Sequence, residues 1–346
     1  MQLPPALQTP RQLGYRMPAE WEPHARCWMA WPHSPVAWRG RHPEAKAALA
    51  RLAATIAEWE PVCMLVHPDD EHEVRARLGR HIELLALPLD DAWARDTLPT
   101  FLVDDKGHLA AVSWRFNGWG DMDFAEYDLD ESLAPRLCHE LNIPCFSAPL
   151  VNEGGAIHVD GAGTLLCTRD TLLDPRRNPV HTQADVELVM REFLGASHIL
   201  WLEKGYDQDE TGGHIDIIAS FAGPGRLLHL RSTHPEDPNA ARFEHNIRVL
   251  SDMLDAQGRP LEVIPIPQPA PRYEGSRRLS LSYQNYYPAN GAVILPVFNV
   301  PEDTPAIEAF RTIYPDREIV PFHATELFHG GGGIHCLTQQ QPRVSL

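Results

Sequence analysis

The stretch AIHVDGAGTLLCTRD at residues 156–170, followed by TQADVELVMREFL at 182–194 and HILWLE at 198–203, decides the fold. Its first part reads as two short apolar runs around the turn sequence DGAG, which predicts a β-hairpin. The second part has helical spacing, and the third is a short apolar run expected to be a buried strand. A unit of two strands, a helix and a strand is too small to bury its own apolar face, so it needs neighbours of the same kind.

Such neighbours are present in the chain. TFLVDDKGHLAAVSWR (100–115), ESLAPRLCHEL (131–141) and CFSAPLV (145–151) follow the same order. HIDIIASFAGPGRLLHLR (214–231), ARFEHNIRVLSDML (241–254) and LEVIPIP (261–267) repeat it. So do LSYQNYYPANGAVILPVF (281–298), TPAIEAFRTIY (304–314) and EIVPF (318–322). A fifth set joins IHCLT (334–338) to CWMAW (27–31), EAKAALARLAATIAEW (44–59) and VCMLVHP (62–68). The expected class is α/β: a five-bladed αβ propeller of pseudo-repeated ββαβ units around a central channel. It is expected to be one domain over residues 1–346, with the two terminal segments sharing a blade. An open doubly wound sheet is the competing arrangement. The lack of G-x-G-x-x-G after an early strand counts against it.

At 346 residues, 43% hydrophobic and 22% charged, the chain can bury a substantial core. Its formal charge of −17 argues against nucleic acid or an anionic membrane as partner and suits a small cation. No apolar run approaches the roughly 20 residues that cross a bilayer. The opening MQLPPALQTPRQ has neither the basic flank nor the hydrophobic segment of a secretory signal, so a cytoplasmic location is expected. The six cysteines form no CxxC pair and read as free thiols. Five sit in apolar surroundings. Cys336 instead follows four consecutive glycines in FHGGGGIHCLTQQQP, residues 328–342.

Polar residues interrupt the apolar pattern where each unit begins. These junctions are Trp93-Ala94-Arg95-Asp96, Asn152-Glu153-Gly154-Gly155, Gly213-His214-Ile215-Asp216 and Gly333-Ile334-His335-Cys336. Asp96 and Glu153 are 57 positions apart, Glu153 and His214 are 61, and His214 and Cys336 are 122, twice 61. A ring would gather them at one end of its channel: a thiol, an imidazole and three carboxylates. The carboxylates oppose ionisation of the thiol unless a cation enters. A guanidinium resolves that conflict, being planar and suited to bidentate carboxylate pairing. Cys336 is then the expected nucleophile, His214 the general acid/base and Glu153 the group that orients His214. Asp96 and Asp216 would hold the guanidinium nitrogens. Trp93 and Trp119 would line the site, and the glycines up to Gly333 would let the backbone approach a flat substrate.

Each residue also has a plainer reading. The histidine of GHID could be a structural donor, Asp96 half of an ion pair with Arg95, and the glycines turn material. Their recurrence at one point of the repeat favours the joint functional reading over these. Arg95 is read as structural, and alternation places His335 on the face opposite Cys336. No H-E-x-x-H or dense His/Cys set is present, and His214 with Asp216 lacks a third ligand, so no metal is expected.

WxRD at 93–96, NEGG at 152–155, GHID at 213–216 and the terminal GGGGIHCLTQQQP resemble the agmatine deiminase and bacterial peptidylarginine deiminase family, within the pentein superfamily. MPAEWEPHARCWMAWP (17–32) and YQNYYPANGAVILPVF (283–298) extend the likeness over almost the whole chain. The resemblance implies a five-bladed αβ propeller and a covalent thiouronium mechanism without metal or organic cofactor. It places the same roles on Cys336, His214, Glu153, Asp96 and Asp216. It implies hydrolysis of agmatine to N-carbamoylputrescine and ammonia, in putrescine synthesis, and a homodimer. Peptidyl-arginine or another guanidino compound is the alternative substrate, and a non-catalytic binding protein the alternative class. Four positions depart from the family pattern: Leu98 for glycine, Gly333 for asparagine, Gly212 for aspartate or asparagine, and Ile217 where asparagine is frequent.

Overall fold

The computed structural model describes residues 8–122 and 126–344. The opening residues read for a signal lie largely outside this range, as do residues 123–125 of the acidic stretch NGWGDMDFAEYDLD at 117–130.

The unit that decides the fold forms as expected. Strands Ile157–Val159 and Thr164–Thr168 pair antiparallel, and the second pairs in parallel with His198–Leu202. Between them runs the helix Gln183–Leu194. Thr182 caps it in a reciprocal box with Asp185, and Gly195, at φ 74°, ends it in the left-handed region. Its buried face is Val186, Val189, Met190, Phe193 and Leu194, the i, i+3, i+4, i+7 stripe that covers a sheet.

Thr100–Val103, Leu109–Arg115 and Cys145–Val151 form a second sheet of this kind, with helix Leu133–Glu140. Ala219–Gly223, Arg226–Arg231 and Glu262–Pro267 form a third, with helix Pro238–Ser251. In each the first pair is antiparallel and the second parallel. Such a parallel pair requires the crossover that the helix supplies.

Two units depart from expectation. The segment 281–298 is only half a hairpin: Ala292–Val297 is a strand paired with Glu318–His323, but its partner reduces to one bridge, Tyr287 to Ile294. Polar side chains there are engaged elsewhere, Ser282 Oγ with the Ile217 carbonyl at 2.6 Å and Tyr283 Oη with Asp303 at 2.7 Å. A small hairpin, Arg272–Glu274 with Arg277–Leu279, precedes it and was not expected.

The terminal segments do share a sheet, in the order Gln339–Pro342, His24–Ala30, Val62–Val66, Glu83–Ala86. The closing strand is Gln339–Pro342, not the predicted IHCLT. Residues 334–338 turn instead, with Thr338 N–H donating to the His335 carbonyl at 3.1 Å. The glutamines compensate for their polarity: Gln341 accepts from Trp28 Nε1 at 2.9 Å, and Gln340 from Arg95 Nη2 at 2.8 Å. Among the described residues no helix is long and apolar enough to cross a membrane.

Candidate active site

The junction turns meet. Arg95 N–H donates to the Cys336 carbonyl at 3.0 Å, and Gly155 N–H donates to Asp96 Oδ1 at 2.9 Å. Cys336 Sγ lies 3.6 Å from Asp216 Oδ2, and Asn285 Nδ2 lies 3.1 Å from the same sulfur. Gly155 forms the floor between three of the groups. A Cβ there would lie 2.6 Å from His214 Nδ1 and 3.0 Å from both Asp216 Oδ2 and Asp96 Oδ1. Any side chain at 155 would displace them, so the close gathering requires glycine.

A narrow cavity of about 30 Å³ fronts the thiol, lined by Trp93, Asp96, Trp119, Met122, Glu210, Thr211, Ala37, Gly330, Gly331, Gly332 and Cys336. Trp119 Nε1 donates to Asp96 Oδ2 at 2.9 Å, so this indole both walls the cavity and fixes the carboxylate. Trp93 stacks on Trp38 at 5.2 Å between centroids, and both indoles donate to Asp91. Asp91 holds two aromatic walls in place from behind.

Gly333, expected beside the substrate, faces away from the cavity. A Cβ there would fall 2.4 Å from Phe328 and 2.6 Å from Asn285 Oδ1. A Cβ on Gly332 would instead meet the thiol, 3.0 Å from Cys336 Sγ and 2.7 Å from Trp93, while the Gly333 backbone still acts on the thiol.

His214 is fully buried, with Nε2 3.4 Å from Glu153 and Nδ1 4.0 Å from Asp96. The Asp96 contact is too long for a hydrogen bond and the Glu153 contact is at the limit, so both act as ion pairs and neither ring nitrogen has a well-formed hydrogen bond among the described residues. Burial disfavours its charged form. Asp96, Glu153 and Asp216 outweigh that and raise the imidazole to about 9.

Glu153 is shared: Arg177 Nε donates to both its oxygens at 2.9 and 3.0 Å. Burial works against its charge, yet Arg177 and His214 hold it below the usual carboxylate range. Burial, with repulsion from Asp216 and Glu153, pushes Asp96 up despite His214. Asp216 is held down against burial, chiefly by His335. Burial, Asp216 and Asp96 drive the Cys336 thiol well above its ordinary range, so it is protonated until a cation arrives.

The departures from the family pattern remove no reacting group. Leu98 is in extended backbone, φ −85°, ψ 163°, and its side chain is 2% exposed in the core. Gly212 sits at φ 80° in the turn before His214, where glycine is unstrained. Ile217 is buried and offers its carbonyl to Ser282.

Sequence reasoning missed Glu20, Asn285, Arg177, Asp209 and the reach of His335. Asp209 Oδ2 accepts from the Gly213 N–H at 3.0 Å and the His214 N–H at 3.3 Å, fixing the histidine's backbone. His335 was set on a strand face opposite the thiol, but residues 334–338 turn, and its Nδ1 reaches Asp216 Oδ2 at 2.8 Å, the oxygen that lies 3.6 Å from Cys336 Sγ. Arg95 is structural as read, bridging Glu20, Gln340 and the His335 carbonyl. Ligand atoms of Glu20, His158 and His335 lie within 4.8 Å of one another. The Arg95 guanidinium 3.2 Å from Glu20 would repel a metal ion there, and His335 is already committed to carboxylates.

A family model described as Porphyromonas-type peptidyl-arginine deiminase matches residues 16–342. A curated Legionella pneumophila protein is 44% identical over 337 residues, covering 96% of this chain and 97% of its own. An agmatine deiminase of Pseudomonas aeruginosa is 40% identical, covering 96% of this chain and 97% of its own. Among solved structures, agmatine deiminase of Enterococcus faecalis superposes with a TM-score of 0.93 at 31% identity, over 98% of each chain. Motifs, geometry and relatives agree: the chain belongs to the Porphyromonas-type peptidyl-arginine deiminase family.

Proposed function

We propose that this protein hydrolyses the guanidinium group of agmatine, giving N-carbamoylputrescine and ammonia, through a covalent adduct on Cys336. The observation that carries this reading is the buried thiol 3.6 Å from Asp216, with Asp96 and His214 across one glycine. Such a pit disfavours thiolate on its own and favours a bound delocalised cation. The names of relatives at about 40% identity support agmatine as that cation.

Asp96 and Asp216 pair with the guanidinium nitrogens. Its charge lowers the cost of thiolate, the thiol proton passes to solvent, and Sγ bonds to the guanidinium carbon. The His214 imidazolium gives a proton to one NH₂ group, the C–N bond breaks, and ammonia leaves a thiouronium. His214, now neutral, takes a proton from water as the oxygen bonds to the same carbon. The C–S bond then breaks, returning thiolate and, after proton loss, the ureido product. Glu153 favours the charged imidazole throughout. Trp93 and Trp119 flank the alkyl chain.

For the scaffold we propose a closed five-bladed ring forming one catalytic unit. Its support is the sheet built from both terminal segments and the direct contacts between junction turns.

Ammonia release should be measured on agmatine, free arginine, methylated arginines and a peptide ending in arginine. Agmatine is expected to be preferred, and Cys336→Ser to abolish turnover. Enzyme quenched during turnover should carry an amidine adduct on Cys336 by mass spectrometry. Inertness on all four substrates, or turnover unaffected by Cys336→Ser, would sink the reading.

A further inference from the structure

His335 lies between two carboxylates. Its Nδ1 is 2.8 Å from Asp216 Oδ2, and its Nε2 is 2.9 and 3.0 Å from the two oxygens of Glu20. An ionised carboxylate accepts hydrogen bonds and donates none, so both ring nitrogens carry protons and the ring is an imidazolium. All three side chains are buried. Glu20 belongs to the segment ahead of strand His24–Ala30 and also takes Arg95 Nη1 at 3.2 Å. Asp216 is divided in function. Its Oδ2 meets His335, Asn285 Nδ2 at 3.2 Å and Cys336 Sγ at 3.6 Å. Its Oδ1 is equally buried and has no hydrogen-bond partner among the described residues. Such an atom is costly unless a ligand completes it.

We propose that His335, clamped by Glu20, is a positioning residue for guanidinium capture: it fixes Asp216 through Oδ2 and presents Oδ1 as the anionic acceptor. This rests on reading Asp216 as a guanidinium-binding carboxylate. Asp216 is faced by His214, Asp96, Cys336, His335 and the charge of Arg95, and His335 in turn by Glu20, Arg95 and His158. Burial favours a neutral Asp216, and His335 is the foremost group opposing it. Without that cation Asp216 would protonate at higher pH and release its substrate.

His335→Asn retains a short amide donor but removes the charge and the reach to Glu20. Glu20→Gln keeps shape and removes only the anion. In His335→Asn, KM for agmatine should rise tenfold or more, with a smaller fall in kcat. The acid limb of kcat/KM should move up by about one pH unit or more, as for loss of a nearby opposite charge. Glu20→Gln should shift both in the same direction by less, and the double variant by less than the two combined. An acid limb unmoved in both variants, or a loss confined to kcat, overturns the proposal. If His335→Asn does not fold, an unmoved limb in Glu20→Gln overturns it alone. Carboxyl titration of Asp216 by ¹³C NMR separates this from the functional reading. Equal titration in wild type and Glu20→Gln defeats the positioning role even where agmatine is not turned over. Wild-type inertness with a shifted titration defeats only the reading of the substrate.

Discussion

Two buried histidines lie on either side of Asp216, and they are held differently. His335 has carboxylate oxygens within 3.0 Å of both ring nitrogens. His214 has carboxylates at 3.4 and 4.0 Å, neither aligned to take its proton. The first ring is a saturated charge that cannot turn or give up a proton without stranding two anions. The second is charged by the same kind of neighbour, yet its protons are uncommitted. Saturation of hydrogen bonds, more than proximity to carboxylate, separates an imidazole that holds from one that transfers.

The strongest test of that contrast is His214→Asn. It should cut kcat by about a thousandfold, within the range for loss of a general acid/base, and leave KM within severalfold. Its folding should survive, since Glu153 keeps Arg177. Steady-state kinetics retaining a tenth of wild-type turnover would refute the transfer role. The pH dependence is expected to match. Turnover needs the imidazolium, so kcat should fall as pH rises through about 9. The same ring favours the folded state when charged. Its contribution to stability is complete below about 6.5 and is lost as pH climbs through about 9.

Glu153→Gln should have an intermediate effect. It removes the anion beside His214, so the alkaline limb should move down by about one pH unit, with kcat falling about twofold near pH 8 and about tenfold near pH 10. A limb that stays in place would mean that Asp96 and Asp216 sustain the charge without Glu153. Trp119→Phe should have the smallest effect. It keeps the ring and deletes the bond to Asp96, which should raise KM by about tenfold while kcat changes less than threefold. An unchanged KM would show that Asp96 needs no support from the indole.

The sequence carried this front arrangement well, because the repeat puts Asp96, Glu153, His214 and Cys336 at equivalent points, and equivalent points meet. The rear arrangement followed no such rule. Glu20 lies before the first strand, Asn285 inside the half-formed hairpin, and Arg177 in a loop after the strand Thr164–Thr168. No periodicity relates these positions to a junction. Alternation was applied to His335 as if 334–338 were a strand, but these residues turn, and His335 and the thiol meet the same oxygen of Asp216. The closing strand was misplaced for a related reason. IHCLT has the apolar, β-branched character of a strand, whereas QQQP does not, and the partners that satisfy the glutamines are distant in sequence. Gln341 and Trp28, for example, are 313 positions apart. Pattern reading detects burial of apolar groups and is blind to polar groups buried in pairs.

The pairing of Gln339–Pro342 with His24–Ala30 also makes the site depend on both ends of the chain at once. Asp96, Glu153, His214 and Asp216 all precede Cys336 in the chain, yet Asp216 is held by His335 and the Arg95 turn by the Cys336 carbonyl. The thiol arrives just ahead of the strand that zips late chain to early chain. Cys336 and the strand that ties late chain to early chain are thus neighbours in sequence as well as in space, so a cut between them would part the thiol from its anchorage.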